Sequence, residues 1–92
     1  MTFRFEWDPE KSIENLAKHK VAFEDAASVF DDPLAVTFPD PDHSVAEERV
    51  LTFGLTKAGQ LLAIISTERD EILRIISARK ATRKERGIYE QD

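Results

Sequence analysis

The sequence predicts a single α+β domain, an antiparallel β-sheet packed with two N-terminal helices and one C-terminal helix. Three observations carry that prediction. At 92 residues the chain is too short for two independent cores, so residues 1–92 form one domain. Apolar residues recur at helical spacing before Asp31 and in alternation after Pro33. Thr82-Arg83-Lys84-Glu85 then has the capping-box pattern of one last helix.

Phe3, Phe5 and Trp7 alternate with Arg4 and Glu6, which predicts a short strand with one buried face. Asp8-Pro9 starts a helix, an N-cap carboxylate followed by proline at the first helical position. Ile13, Leu16 and Ala17 give this helix one narrow apolar stripe, and it ends near Lys18-His19-Lys20. Phe23, Ala26, Ala27 and Phe30 define a second short helix, stopped by Asp31-Asp32-Pro33. Leu34, Val36 and Phe38 alternate with Ala35 and Thr37 in a strand that Pro39 closes. Residues 39–46, which include His43, carry two prolines and no period, and form a loop. Three strands follow at about 48–55, 60–67 and 71–79. Lys57-Ala58-Gly59 and Glu68-Arg69-Asp70 join them, short enough for antiparallel hairpins. Leu61-Leu62-Ala63-Ile64-Ile65 is apolar on both faces, so its strand is central. The last helix spans about 83–90.

Composition narrows the function. Apolar residues at 41% and charged residues at 34% are a globular mix, which excludes a disordered or collagen-like chain. No apolar run approaches the roughly 18 residues that span a bilayer, so no membrane role is expected. The chain has no cysteine, hence no disulfide, thiol nucleophile or thiolate metal site, and a reducing cytoplasmic location fits. The net charge of −5 is unevenly spread. Residues 1–48 hold 12 acidic against 4 basic side chains, whereas residues 49–92 hold 6 against 9. An acidic whole argues against indiscriminate nucleic-acid binding, while the basic C-terminal half leaves room for a phosphate-binding face.

The segment Arg69 to Arg86 concentrates seven Lys and Arg. Strict alternation would put Arg74, Ile76 and Ala78 on one face of its strand and Leu73, Ile75, Ser77 and Arg79 on the other. Arginines at a sheet rim can grip a phosphate bidentately, and Arg79 is expected to be exposed and to face other cations. Arg83, Lys84 and Arg86 sit where the helix dipole disfavours cations, which points to a use other than stability. A solvated basic face accounts for the same pattern. His19 is a candidate acid or base at a helix end, and equally a C-capping side chain. His43 lies in a loop lacking the glutamate and glycine of a calcium site, so no metal site is expected. Trp7 and most phenylalanines follow strand or helix periods and read as core. Tyr89 either covers the sheet or projects beside Arg79. Gly-rich phosphate loops, nucleophile elbows and dinucleotide fingerprints are absent, so no cofactor is expected.

Several blocks together resemble the BrnT-type toxin family. They are Phe5-Glu6-Trp7-Asp8-Pro9-Glu10-Lys11, Asn15-Leu16-Ala17-Lys18-His19, Phe23-Glu24-Asp25-Ala26 and Phe30-Asp31-Asp32-Pro33. Glu48-Arg49 through Gly54, and Arg74-Ile75-Ile76-Ser77-Ala78-Arg79-Lys80-Ala81-Thr82 with Glu85, continue the likeness over nearly the whole chain. The resemblance implies a RelE-like fold and the toxin half of a type II toxin–antitoxin pair. It implies a translation-halting ribonuclease, held inactive by a BrnA-like ribbon-helix-helix antitoxin through which alone the pair reaches operator DNA. The chain departs from the family at two helix ends, with Lys20 where a glycine is frequent and Ala22 where a serine-like cap is frequent.

RNA brings its own nucleophile, the 2′-hydroxyl. A metal-independent ribonuclease therefore needs a base for it, cations for the developing phosphorane charge and an acid for the leaving 5′-oxygen. Carried over by motif, Lys18, His19, Arg49 and Arg79 are the expected catalytic residues, with Arg74, Lys80 and Arg83 binding RNA. The arginines are assigned to phosphate charge, the acid and base roles stay open between Lys18 and His19, and Glu68 is an alternative base. The competing reading is a non-catalytic binding module, a co-repressor or assembly subunit whose basic rim receives a DNA-binding ribbon-helix-helix partner.

Overall fold

A computed structural model describes residues 4–40 and 47–91, and it arranges five strands in the order β1-β5-β4-β3-β2. The strands are β1 (Arg4–Glu6), β2 (Val36–Pro39), β3 (Val50–Leu55), β4 (Leu61–Arg69) and β5 (Ile72–Lys80). The helices are α1 (Pro9–His19), α2 (Phe23–Ala27) and α3 (Arg83–Glu90), with a 3-10 turn over Ser28–Asp31 directly after α2. Phe3, His43 and most of the loop over 39–46 lie outside the described residues. No helix among the described residues is long and apolar enough to cross a membrane.

Local chemistry sets the element ends. Asp8 accepts from the Glu10 N–H at 2.9 Å, and Pro9 opens α1 as its fixed φ favours. Lys20, where a glycine is frequent in the family, closes α1 in the left-handed region at φ 61°. Ala22 precedes α2 without a side-chain cap. Asp32 Oδ1 accepts from the Leu34 N–H at 2.9 Å, so a side-chain turn holds residues 32–34 and β2 starts at Val36 rather than Leu34. The capping box of α3 is complete. The Glu85 N–H donates to Thr82 Oγ1 at 3.2 Å, and the Thr82 N–H donates to Glu85 Oε1 at 2.9 Å.

The sheet departs from the expected antiparallel pattern at one edge. β2 through β5 pair antiparallel, but β1 pairs parallel to β5, Arg4 with Ile72 through Glu6 with Arg74. Hairpin-length connections fix the direction of β4 and β5, whereas α1 and α2 carry the chain back between β1 and the rest. α1 and α2 lie on one face of β5, and the core forms there from Val21, Phe23, Ala26, Val29, Leu62, Ile64, Leu73, Ile75 and Ala78. Trp7 and Phe30 pack against it, with Trp7 edge-on to Phe23 at 5.9 Å. Gly54 lets the 3-10 turn approach the sheet, since a Cβ there would stand 2.6 Å from Val29 Cγ1.

Two side-chain expectations are corrected. The supposed apolar stripe of α1 faces solvent, with Ile13 70% and Leu16 51% exposed, while Asn15 is the buried residue. The cause is hydrogen bonding. β1 covers β5 only as far as Arg74, and Asn15 completes the uncovered edge: its Nδ2 donates to the Ala78 carbonyl at 2.8 Å and its Oδ1 accepts from the Ala78 N–H at 3.1 Å. The second correction concerns β5, which does not alternate strictly. Ile65 pairs Ser77 and Ser66 pairs Ile75, leaving Ile76 as the extra residue of a bulge. The phase therefore changes, and Leu73, Ile75 and Ala78 turn towards the helices, as their burial shows. Arg74, Ser77 and Arg79 share the opposite face.

Candidate active site

That opposite face is organised in rows across the strands. Arg79 stands beside Ala63 and Phe53, Ser77 beside Ile65 and Leu51, and Arg74 beside Thr67. Phe38, 43% exposed, extends the middle row on β2 beside Leu51 and rests 6.0 Å from Phe53.

Lys18 and His19, at the last turn of α1, line a cleft of about 230 Å³ with Lys11, Glu14, Asn15, Ile76 and Ser77. The Asn15 bonds to Ala78 fix this helix end against the bulge, and Arg79 is the next residue along the strand. Arg79 does not line this cleft: it lies beside Ala63 on the face of β5 turned away from α1.

Arg49 and Arg74 belong elsewhere. Four residues of β4 separate the row of Arg79 at Ala63 from the row of Arg74 at Thr67, about 13 Å at the usual strand rise. Arg74 Nη1 donates to Glu6 Oε1 at 3.0 Å, and Arg49 Nη2 lies 3.6 Å from Glu47 Oε1. A cleft of about 550 Å³ at this end is lined by Glu6, Glu47, Glu48, Glu68 and Asp70 with Arg69 and Arg74. Its carboxylates outnumber its cations, so its field opposes a phosphate. Glu68, the alternative base, sits in this acidic cleft and away from His19. Lys80 pairs with Leu62 and so projects to the face opposite Arg79. Arg83 is exposed on the first turn of α3.

Arg79 itself is not an exposed cation among cations. Its Nη1 donates to Glu85 Oε1 at 2.7 Å and its Nη2 to Glu85 Oε2 at 2.9 Å, a bidentate pair. Nη1 also reaches the Lys80 carbonyl at 3.4 Å. The bond from Arg79 pulls the Glu85 carboxyl down to about 2, and the same bond raises the guanidinium further. Tyr89, half-buried on α3 where that helix packs on β3, does not join Arg79. Its hydroxyl donates to Asp32 Oδ2 at 2.6 Å, and this bond, with burial, pushes it up to about 12. Burial alone would raise Asp32, but bonds from the Leu55 N–H, Tyr89 and the Leu34 N–H outweigh it and hold the carboxylate low.

Sequence reasoning missed two residues of this region. Asn15 carried a signal, because asparagine is unfavourable in a helix interior unless its amide finds partners. The pairing of Glu85 with Arg79 carries no sequence signal, since no periodicity links the two across the turn at Lys80–Thr82. Among the described residues no three His, Asp or Glu side chains gather as metal ligands.

The fold first defines a class, a small α+β domain with helices packed on a five-stranded sheet, and known proteins make it specific. The crystal structure of the Brucella abortus ribonuclease toxin BrnT at 1.1 Å shares this fold. It matches with a TM-score of 0.69 and 27% identity, over 89% of this chain and 100% of that one. A family model described as the ribonuclease toxin BrnT of type II toxin–antitoxin systems matches residues 7–85. The chain belongs to the BrnT family. Membership implies ribonuclease activity and an antitoxin partner. Comparison with curated protein sequences finds no match.

Proposed function

We propose that this toxin cleaves RNA without a metal ion, by attack of the 2′-hydroxyl on the adjacent phosphate at the bulge of β5. Arg79 binds the phosphate and stabilises its growing negative charge. Lys18 and His19, in the adjoining cleft, handle the protons: one group takes the 2′-hydroxyl proton and the other gives a proton to the departing 5′-oxygen. A P–O bond forms to the 2′-oxygen as the bond to the 5′-oxygen breaks, leaving a 2′,3′-cyclic phosphate and a 5′-hydroxyl. Arg83, exposed on the first turn of α3, serves longer strands; Arg49 and Arg74, each beside a carboxylate, and Lys80, on the opposite face, are left out of the groove. Cleavage of messenger RNA would halt translation, and a ribbon-helix-helix antitoxin would neutralise the toxin and link the pair to its operator. What supports this reading is the match to a ribonuclease-toxin family model, together with the cleft that Lys18 and His19 line beside the β5 bulge, three residues before Arg79.

Single-turnover cleavage of RNA in EDTA tests it. Activity should persist in EDTA, and Arg79→Ala should lower it by about two to three orders of magnitude. The same variant loses the Glu85 pair and about 1 kcal/mol of stability, so it stays folded in a thermal melt. Cleavage that needs an added divalent ion, or a folded Arg79→Ala variant with full activity, would refute the assignment. The latter result would move catalysis away from this rim, whereas absence of cleavage by the wild type with and without divalent ions would favour the binding-module reading.

A further inference from the structure

We propose that Glu85 is a positioning residue for RNA cleavage, holding the Arg79 guanidinium so that one edge alone faces the phosphate. This rests on the reading of Arg79 as the phosphate-binding group. A guanidinium has five N–H donors on rigid edges. Glu85 takes the Nη1/Nη2 edge through two bonds of 2.7 and 2.9 Å, and the Lys80 carbonyl takes the remaining Nη1 direction at 3.4 Å. Among the described residues the Nε–H and the second Nη2 hydrogen are left over, a parallel pair that matches two oxygens of a phosphodiester.

Glu85 can hold this orientation because it is itself held. Its Oε1 also accepts from the Thr82 N–H at 2.9 Å, and its own N–H is fixed by Thr82 Oγ1. The carboxylate therefore has its place from the helix start, and only 15% of its side chain is exposed. A long arginine side chain at a strand end has many rotamers, and fixing it before RNA arrives removes that freedom from the reaction step.

A negative charge beside a phosphate site weakens anion binding, so positioning and simple attraction predict opposite signs. The experiment uses wild type, Glu85→Gln, Arg79→Ala, their double variant and Thr82→Ala. Each is measured for single-turnover cleavage at saturating RNA and for affinity towards the same oligonucleotide with uncleavable 2′-O-methyl groups. Glutamine still serves a capping box, so the helix start survives in Glu85→Gln. Its cleavage rate should fall about 10- to 100-fold, while the uncleavable strand binds equally or more tightly. The substitution should have no further effect on the Arg79→Ala background. Thr82→Ala removes the hydroxyl bond at the same helix start but keeps the Thr82 N–H bond to the carboxylate, so its cleavage should fall clearly less than that of Glu85→Gln. Glu85→Asp, which keeps the charge but shortens the reach, should also be slow.

A wild-type rate in Glu85→Gln overturns the inference, as does an equal loss on both backgrounds. An equal loss in Thr82→Ala overturns it too, since helix integrity would then explain the effect. In each of these cases a strong Arg79→Ala defect leaves the proposed function standing. Full activity of Arg79→Ala removes both together.

Discussion

Because β1 stops at Glu6, the last half of β5 lacks a neighbouring strand on one side, and Asn15 supplies the missing backbone partner from a helix. A third bond, from its Nδ2 to the Val21 carbonyl at 2.9 Å, ties in the α1–α2 connection. Asn15→Ala removes all three and leaves the Ala78 N–H and two carbonyls unsatisfied in a buried place. The expected loss is about 2–4 kcal/mol in a denaturant titration, several times that of a surface change. The residue was invisible as a core member because polarity excluded it from the apolar stripe. Ile13 and Leu16, which did form a stripe, remain exposed. Spacing reports which residues share a helix face, but only a partner for the backbone decides which face turns inward.

At the scale of elements, starts and stops were legible where a side chain bonds its own backbone. Asp8-Pro9 and Thr82 with Glu85 are local, so they can be read without the rest of the fold. The parallel pairing of β1 was not legible, since nothing in residues 4–6 records a neighbour found 68 residues later. The bulge at Ile76 was hidden for a similar reason, because it is defined by the partner strand. The β4–β5 hairpin carries a visible weakness: Asp70 and Glu71 sit at φ 52° and 67°, both left-handed in a two-residue turn. Such turns favour glycine at the second position, where a Cβ is strained. Glu71→Gly should raise stability by about 1 kcal/mol, seen as a higher midpoint of thermal or urea unfolding. An unchanged or lower midpoint would show that the strain is relieved elsewhere.

Over the whole molecule, α3 is fastened at both ends by ionisable groups, Glu85 to Arg79 and Tyr89 to Asp32. The two ends respond to opposite limits of pH. Glu85 titrates near 2 in the folded chain against an ordinary 4.5, so its contribution is present above 4.5 and is lost as pH falls towards 2. Asp32 acts in the same direction. Tyr89 is raised to about 12 from 10, so its contribution is complete below 10 and is lost as pH rises towards 12. Unfolding temperatures from pH 2 to 12 should therefore form a plateau between about 5 and 9.5 that declines on both sides. Glu85→Gln should flatten the acid side and Tyr89→Phe the alkaline side. The basic character of the C-terminal half was plain in the sequence, but the pairing of its arginines was not. Arg74 and Arg79 each meet a carboxylate on another strand or element, Glu6 on β1 and Glu85 on α3, while Arg49 meets Glu47 only two residues away, and charge counting records none of these meetings.

The bulge also bears on how this strand can vary in length. In an ordinary ladder, gaining or losing one residue turns every later side chain to the wrong side. Here Ile75 and Ser77 already face opposite ways, and Ile76 stands between them as a surplus pleat. Dropping that residue would restore regular alternation while Leu73 and Ala78 stayed on the helix side and Arg74 and Arg79 stayed on the other. What would change is local: the wall that Ile76 gives to the cleft of Lys18 and His19. Core and cleft are thus separable at a single position, so the cleft can be reshaped there without rewriting the interior.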